Sequence, residues 1–313
     1  MKDSFNNKLR DFEEIDLLMI FNILFQGKWI IASVTAFVSI IALIYSLLLP
    51  NIYESKALLA PVESSGPISG ALGSYSGLAG LVGIDIPPNK QKTIVEEAIQ
   101  KIGTLSFFEN NILTNIYLPD LMAIKAWDSK TNKVTYDESI FDTISNTWVR
   151  KHSYPRQQVP SSQESFNLFK IDHLGLSEDK KSGFITLSIK HQSPHLAKQW
   201  VELIVNEVNN YYRQKDKSEA IKAVSYINQQ ISMTSLSEIK EVLAQLLQEQ
   251  IKKLTLIEAN QNYVFEYIDP PAAMEIKSEP KRALICVLGA LLGGMLSILL
   301  VLVRHYVFIK KYS

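Results

Sequence analysis

The chain has 313 residues, and its 32 Lys and Arg are balanced by 32 Asp and Glu, so the formal net charge at pH 7 is zero. A general nucleic-acid binder usually carries a basic excess, so this balance argues against that class of protein. The one cysteine, Cys286, excludes a fold held by intramolecular disulfides. The hydrophobic residues are unevenly distributed, because two uncharged apolar runs lie near the two ends. These features exclude a disulfide scaffold, a disordered acidic chain and a simple cytosolic enzyme.

The two apolar runs, residues 29–49 and residues 283–303, predict transmembrane helices. Each has 21 residues, and a helix of that length spans about 30 Å, the thickness of the hydrocarbon core of a bilayer. Trp29 and Tyr45 lie toward the ends of the first run, where amphipathic aromatic rings are favoured. A cleavable signal peptide fits less well, because the run is long, no A-x-A site follows it and acidic residues precede it.

Basic residues in the short flanks predict the orientation of the two spans. They precede the first span and follow the second: Lys2, Lys8, Arg10, Lys28, Arg304, Lys310 and Lys311. By the positive-inside rule, both termini are expected in the cytoplasm. The chain is therefore predicted to have a cytoplasmic leader (1–28), a large outer domain (50–282) and a cytoplasmic tail (304–313).

The second span carries small residues at helical spacing. Gly289-x-x-x-Gly293, followed by Gly294, predicts a flat strip that another helix, either a neighbouring span or a span of a polymerase, can approach closely. Glycine is also frequent in membrane helices in general, so this is a hypothesis about helix packing rather than a specific motif.

The outer domain is predicted to be α+β, with a mixed sheet close to the membrane. Apolar and polar residues alternate over Gly183–His191, which indicates a half-buried strand. Strands are also expected at 53–61 and 263–268, and the three can pair with one another. The glycine- and serine-rich stretch Ser64–Gly83 is predicted to be a flexible loop, since it lacks the strand, helix and Lys that accompany a phosphate-binding loop.

A very long helix is predicted over about 195–262. Ser193 and Pro194 are typical N-cap and N1 residues, and the helical pattern after them contains neither Gly nor Pro. Ser235-x-x-Glu238 resembles a capping box, so a kink or a restart is expected there. A helix of this length needs partner helices, from this chain or from copies of it, to cover its apolar stripe.

The residue types that carry catalysis are not found in a recognisable arrangement. His191 and His195 lie on either side of a strand end, so they are not expected to bind a metal together. No G-x-S-x-G or G-x-x-x-x-G-K-[ST] motif is present, and no cofactor is expected. Trp127 beside Asp128 suggests either sugar stacking or, in the interpretation we favour, a buried structural Trp. The sequence thus favours a scaffold, regulator or binder over an enzyme.

Several short motifs, in their order and spacing around the two spans, resemble the Wzz-type chain length determinants, which are polysaccharide co-polymerases. The motifs are Glu14-Ile-Asp-Leu, Pro50-x-x-Tyr53-Glu-Ser-x-Ala57, Trp127-Asp128 with Tyr136-Asp137-Glu138, Gly183-Phe-Ile-Thr-Leu-Ser-Ile-x-His191-x-Ser193-Pro194-x-x-Ala197, Tyr263-Val-Phe-x-x-Ile268-Asp269-Pro270, and Pro280-Lys281-Arg282-Ala283-Leu284. The proline-rich stretch before the second span departs from the family pattern, because only Pro270, Pro271 and Pro280 remain.

The resemblance implies a non-enzymatic protein of the Gram-negative inner membrane, with the outer domain in the periplasm. Members of the family form rings of identical subunits, for which an octamer is the first expectation, with the long helices bundled away from the membrane. They set the modal number of repeat units that the Wzy-dependent polymerase adds to lipopolysaccharide O-antigen. The polymerase, and the growing undecaprenyl-linked glycan, are therefore the expected partners. We further hypothesise that Gly289→Leu leaves the protein inserted but broadens the glycan length distribution.

Three other functions remain open from the sequence. The regulated glycan could be enterobacterial common antigen or an exopolysaccharide. A membrane receptor with a periplasmic sensor domain would need a cytoplasmic output module. An enzyme of envelope glycan synthesis would need clustered carboxylates in a cleft.

Overall fold

The computed structural model describes residues 17–62, 90–305 and 307. The chain divides into two compact units, one made of Met1–Asn51 with Ser278–Ser313 and the other of Ile52–Lys277. The glycine- and serine-rich stretch predicted to be a flexible loop lies outside the described residues.

The helices and strands of the described part are numbered in chain order. The helices are α1 (Leu17–Gln26), α2 (Lys28–Leu48), α3 (Lys90–Ile102), α4 (Leu105–Phe107), α5 (Leu118–Met122), α6 (Ser162–Leu168), α7 (Pro194–Met233), α8 (Ser237–Ala259) and α9 (Arg282–Arg304). Short π and 3-10 turns extend α4 and α6, namely Phe108–Ile112, Leu113–Asn115 and Phe169–His173. The strands are β1 (Tyr53–Pro61), β2 (Ile124–Asp128), β3 (Lys133–Tyr136), β4 (Phe141–Asp142), β5 (Thr147–Trp148), β6 (Leu174–Glu178), β7 (Ile185–His191) and β8 (Phe265–Asp269).

The main sheet contains the three predicted strands and one more, in the order β6-β7-β1-β8. Every neighbouring pair of strands in this sheet is antiparallel, so the prediction of a mixed sheet was wrong. A short connection explains the antiparallel pairing of β6 with β7, whereas β7 and β8 lie on either side of β1. A short turn at residues 179–184 joins β6 to β7 as a hairpin, and a helical hairpin, described below, returns the chain from β7 to β8. Two small hairpins, β2-β3 and β4-β5, lie apart from this sheet.

The core of the second unit forms where α7 packs on this sheet. Alternate residues of β7 are completely buried, as the period-two pattern predicts: Ile185, Leu187 and Ile189. Residues at helical spacing in the first turns of α7 face them: Ala197, Val201, Ile204, Val205 and Val208. These local patterns, apolar in period two and then in period 3.6, explain why the strand and the helix bury these faces.

The predicted long helix begins as expected but is two helices. The hydroxyl of Ser193 accepts a hydrogen bond from the amide of Leu196, and Pro194 is the first helical residue. The chain is extended at residues 234–236 and then restarts as α8. The predicted capping box does not form, because the N-cap residue is Leu236, whose side chain cannot accept a hydrogen bond.

The two helices run antiparallel as a hairpin. Lys217 of α7 forms an ion pair with Glu258 near the far end of α8, and Asp216 accepts a hydrogen bond from the hydroxyl of Tyr263 just beyond α8. The distal part of α7 is therefore covered by α8 of the same chain. The restart expected near Ser235 is therefore confirmed, and what the sequence did not predict is that the chain folds back there into a hairpin.

Candidate functional site: the paired spans and the helical hairpin

The two helices α2 and α9 are long and apolar enough to cross a membrane. Most of their large apolar side chains are exposed, for example Leu48 at 79% and Leu299 at 60%. A helix in the core of a soluble protein would bury such side chains. The exposure therefore fits a lipid-facing surface, as the sequence predicts.

Four residues on one face of α9 are buried because α2 covers them. They recur at intervals of four: Gly289, Gly293, Ser297 and Val301. A Cβ atom on Gly289 would lie 2.4 Å from the Cβ of Ala42, and one on Gly293 would lie 2.9 Å from the Cβ of Val38. No side chain fits at these two positions without a shift of the helices, so glycine sets the close approach of the two backbones.

Polar and small groups extend the same contact toward the cytoplasmic end predicted from the sequence. The hydroxyls of Thr35 and Ser297 are 3.4 Å apart and share a hydrogen bond. Farther along, a Cβ on Gly27 would lie 2.6 Å from a methyl group of Val301. The two spans are thus packed along much of their length within one chain.

The structure separates the three glycines that the sequence groups together. Gly289 and Gly293 contact the first span of the same chain, so they are not free to meet a neighbouring span or a partner protein. A Cβ on Gly294, in contrast, would meet no atom within 4 Å. Of the three, only Gly294 lies on a face that another molecule can approach.

Trp127 and Asp128 have structural contacts in the β2-β3 hairpin. The Trp127 ring packs edge-on against Tyr53 with centroids 5.4 Å apart, and its Nε1 donates to the Asn132 side chain at 2.9 Å. Asp128 accepts hydrogen bonds from the Lys130 amide and the Thr131 hydroxyl in the turn, which lower the pKa of its carboxyl. Because Trp127 is half-buried, its ring packs as a structural residue rather than standing free for a sugar.

His191 is completely buried and holds three segments together. Its Nδ1 accepts from the Ser193 amide, and its Nε2 donates to the Asp120 carbonyl, both at 3.0 Å. Burial lowers its pKa, so the imidazole is neutral. His195 does not join it but packs near Trp127. In the described ranges, no group of three or more His, Cys, Asp or Glu could hold a metal ion.

A second histidine, His173, is half-buried beside His191 and was not singled out from the sequence. Its ring packs against His191 at 5.7 Å and Trp200 at 5.6 Å between centroids, and its Nδ1 donates to the carbonyl of Lys190 at 2.6 Å. Burial, reinforced by the neighbouring His191, lowers the pKa of His173 to about 4. No sequence signal could have found it, because its partners lie on other elements.

Asn209 is the buried polar residue that fixes the return of the chain to the sheet. Its Oδ1 accepts from the amides of Val264 and Phe265 at 2.8 and 2.9 Å, and its Nδ2 donates to the Phe265 carbonyl at 2.9 Å. The side-chain amide of Asn209 therefore provides hydrogen-bond partners for both the backbone N–H and the backbone C=O of Phe265, the first residue of β8.

The helical hairpin exposes apolar side chains on α8 and at its turn. They are 42–69% exposed: Met233, Leu236, Ile239, Val242, Leu246 and Ile251. A shallow groove of about 490 Å³ runs along the same helix and includes Leu247 and Leu256. A solvated helix normally carries polar residues here, so this apolar surface indicates a contact with another protein.

Two family models match the chain. Residues 13–110 match the model described as chain length determinant protein, Wzz. Residues 235–306 match the GNVR model, described as a G-rich domain on putative tyrosine kinase. Among proteins of curated function, none is significantly similar in sequence.

The chain is also similar to solved structures of polysaccharide co-polymerases. One is described as a full-length bacterial polysaccharide co-polymerase, with 15% identity, coverage of 96% of this chain and 99% of that one, and a TM-score of 0.38. Another is a fragment of WzzB, a polysaccharide co-polymerase from Salmonella Typhimurium, with 12% identity, coverage of 73% and 100%, and a TM-score of 0.31.

The Wzz match includes the first span and the strand β1, where the motif from Pro50 to Ala57 lies. The resemblance predicted from the motifs is therefore confirmed by an independent comparison: residues 13–110 match the chain length determinant model of the Wzz family.

Proposed function

We propose that this protein regulates the modal chain length of lipopolysaccharide O-antigen, as a non-enzymatic inner-membrane scaffold for the Wzy-dependent polymerase. The observation that carries the proposal is the Wzz match over residues 13–110. It covers the first span and continues into the sheet of the second unit, so the matched region includes both the membrane and the outer part of the molecule.

In this proposal both termini are cytoplasmic and residues 50–282 are periplasmic. The basic residues in the short flanks support that orientation. Copies of the chain form a ring, with an octamer as the first expectation. The exposed apolar side chains of α8 support self-association, because a membrane scaffold without partners would leave them in water.

A second candidate is regulation of another surface glycan, either enterobacterial common antigen or an exopolysaccharide. The GNVR match at residues 235–306 favours it, because the description of that model names a domain found on tyrosine kinases, whereas the Wzz model describes a chain length determinant. The two candidate functions share one mechanism and differ only in the glycan whose length is regulated.

The test is a lipopolysaccharide gel from a strain that lacks the gene, with and without its restoration. O-antigen regulation predicts that a clustered length distribution becomes random on deletion and returns on complementation. An unchanged ladder excludes O-antigen, and the other surface glycans are then sized in the same strains. If none of them changes in length, co-polymerase function is wrong and the receptor hypothesis replaces it.

A further inference from the structure

Arg150 closes a loop of nine residues, 151–159, which we call the anchored loop. The guanidinium forms a bidentate ion pair with the carboxylate of Glu164, with Nη2 2.7 Å from Oε2. Its Nε donates to the carbonyl of Gln158 at 2.9 Å, and Nη2 also donates to the carbonyl of Gln157 at 2.7 Å. One side chain, itself 14% exposed, thus connects the start of the loop, its end and α6.

Further hydrogen bonds hold the loop without burying it. The side-chain amide of Gln158 donates to the carbonyl of Trp148, and the amide of Arg156 donates to the carbonyl of Ser153 at 2.9 Å. All nine residues of the anchored loop are nevertheless exposed. The loop is therefore ordered by its backbone contacts while its side chains remain in solvent.

The side chains that the anchored loop displays are aromatic, basic and amide-bearing. Tyr154 is 97% exposed, the highest value among the described aromatic side chains of the second unit. Trp127, the aromatic residue that the sequence suggested for sugar stacking, is half-buried against Tyr53. The ring of Tyr154, in contrast, is almost fully exposed.

The anchored loop is also positively charged. The sequence from residue 143 to residue 163 contains no Asp or Glu, while Lys151 and Arg156 lie within the loop. The nearest acidic group in the chain after the loop, Glu164, is paired with Arg150, and the charge of Arg156 also acts on its carboxylate. A chain with zero net charge therefore carries a local cationic surface beside an exposed aromatic ring.

We propose that the anchored loop binds an acidic polysaccharide. This inference rests on the proposed function, in which a surface glycan is the regulated polymer. The Tyr154 ring offers an apolar face for the C–H side of a sugar. Lys151 and Arg156 pair with carboxylate or phosphate groups of the chain, and Gln157 supplies hydrogen bonds to hydroxyls. Because Arg150 orders the backbone beforehand, little conformational entropy is lost when the glycan binds.

The binding test uses the full chain in nanodiscs of zwitterionic lipid and titrates oligogalacturonate, with neutral dextran oligosaccharide as the reference. We expect binding of the acidic oligosaccharide only, weakened about tenfold or more in Tyr154→Ala and in the double variant Lys151→Ala/Arg156→Ala. The matched control, Lys180→Ala/Lys181→Ala, removes the same charge from another exposed turn and should bind like the parent. No binding by the parent, or equal binding by all variants, overturns the proposal.

A conservative variant tests whether Arg150 positions the loop. Arg150→Lys keeps the positive charge but cannot form the bidentate pair and both carbonyl contacts. We expect weaker binding of oligogalacturonate by a protein that remains folded, with a small fall in its thermal midpoint because hydrogen bonds are lost. Binding equal to that of the parent would show that the anchoring has no role in recognition.

Exposed aromatic and basic residues are also typical of segments that contact a membrane surface. A labelling experiment distinguishes membrane contact from glycan binding. A spin label on Tyr154→Cys in a Cys286→Ser background, in proteoliposomes, should remain accessible to a water-soluble relaxation agent. Preferential access to oxygen would place the loop in lipid and overturn glycan binding. In cells, suppose that the gene deletion changes the glycan lengths but Tyr154→Ala does not. That result would reject a role of the anchored loop in glycan recognition and retain the proposed function. A gene deletion that changes the length of no glycan would reject the proposed function. The oligogalacturonate titration would still show whether the anchored loop binds an acidic glycan.

Discussion

Gly289 and Ala42 mark the closest approach of the two spans, because a Cβ atom on Gly289 would lie only 2.4 Å from the Cβ of Ala42. Real Cβ atoms do not come so close, so any side chain at position 289 must separate the helices. The glycine motif of the second span is thus used within the chain, where it places α9 against α2.

The first prediction concerns Gly289→Leu. The added side chain overlaps Ala42, and overpacking of this kind costs about 1–3 kcal/mol. We expect a lower thermal midpoint of the detergent-solubilised protein than in the parent. Any broadening of the glycan length distribution would then follow from a disturbed span pair, and not from a lost partner contact as the sequence alone suggested. A midpoint equal to that of the parent would contradict this packing.

Gly294→Leu is the matched substitution on the open side of the same helix. No atom lies within 4 Å of a Cβ there, so the thermal midpoint should not change. If a neighbouring span or the polymerase contacts this face, the glycan length distribution should broaden although the protein is expressed and inserted normally. A normal distribution in Gly294→Leu would exclude this face from the partner contact.

The sequence predicted what depends on neighbouring residues. The spans follow from 21 uncharged apolar residues in a row, the start of α7 from Ser193-Pro194, and the buried face of β7 from simple alternation. Each of these signals is complete within one segment of the chain, because hydropathy, capping and period two are local properties.

What the sequence did not predict depends on distant partners. A restart near Ser235 was expected, but the antiparallel return of α8 along α7 was not, because it is stabilised by contacts such as that of Lys217 with Glu258. Gly289-x-x-x-Gly293 indicates a flat strip but does not say which helix covers it. Nor does the sequence show that Arg150 is the anchor of a loop, since its four acceptor atoms lie on residues 157, 158 and 164.

Asn209 should be essential for the stability of the second unit. Asn209→Leu removes the acceptor for two buried backbone amides and the donor to the Phe265 carbonyl. Buried backbone groups without partners cost about 1–3 kcal/mol each, so we expect a loss of several kcal/mol or failure to fold. The milder Asn209→Asp keeps the acceptor and should fold with a reduced thermal midpoint. Asn210→Leu, at an exposed neighbouring position, is the control and should melt like the parent.

His173 and His191 should make the stability of the second unit fall in mild acid. The folded-state pKa of His173 is about 4, below the ordinary value of 6.5, so the unfolded chain binds a proton more readily than the folded one. The stability that this difference contributes is fully present above pH 6.5 and is lost as the pH falls from 6.5 toward 4. His191, whose pKa is also lowered by burial, acts in the same direction.

Thermal midpoints measured across this pH range test the assignment. His173→Asn can retain a donor toward the Lys190 carbonyl but does not titrate, so its midpoint should fall less steeply between pH 6.5 and 4 than that of the parent. His152→Asn, at an exposed position, should keep the steep dependence. The same slope in all three proteins would show that other groups cause the acid sensitivity.

The apolar surface of α8 should determine the oligomeric state. Val242 and Leu246 lie four residues apart on one face and are 57% and 42% exposed. Val242→Asp/Leu246→Asp would place two charges where the proposed ring needs an apolar contact, and burying an unpaired charge is strongly unfavourable. We therefore expect the double variant to shift from the ring to smaller species in mass photometry of the detergent-solubilised protein.

The control for this prediction is Lys240→Asp, an exposed position on the other side of α8. It changes the charge of the helix but leaves the apolar face intact, so the ring should persist. Because α7 covers only one side of α8, loss of the ring in the double variant alone would assign the exposed face to contacts between subunits. Rings of parental size in both variants would instead locate subunit contacts elsewhere, and the apolar face of α8 would then be available to a different partner.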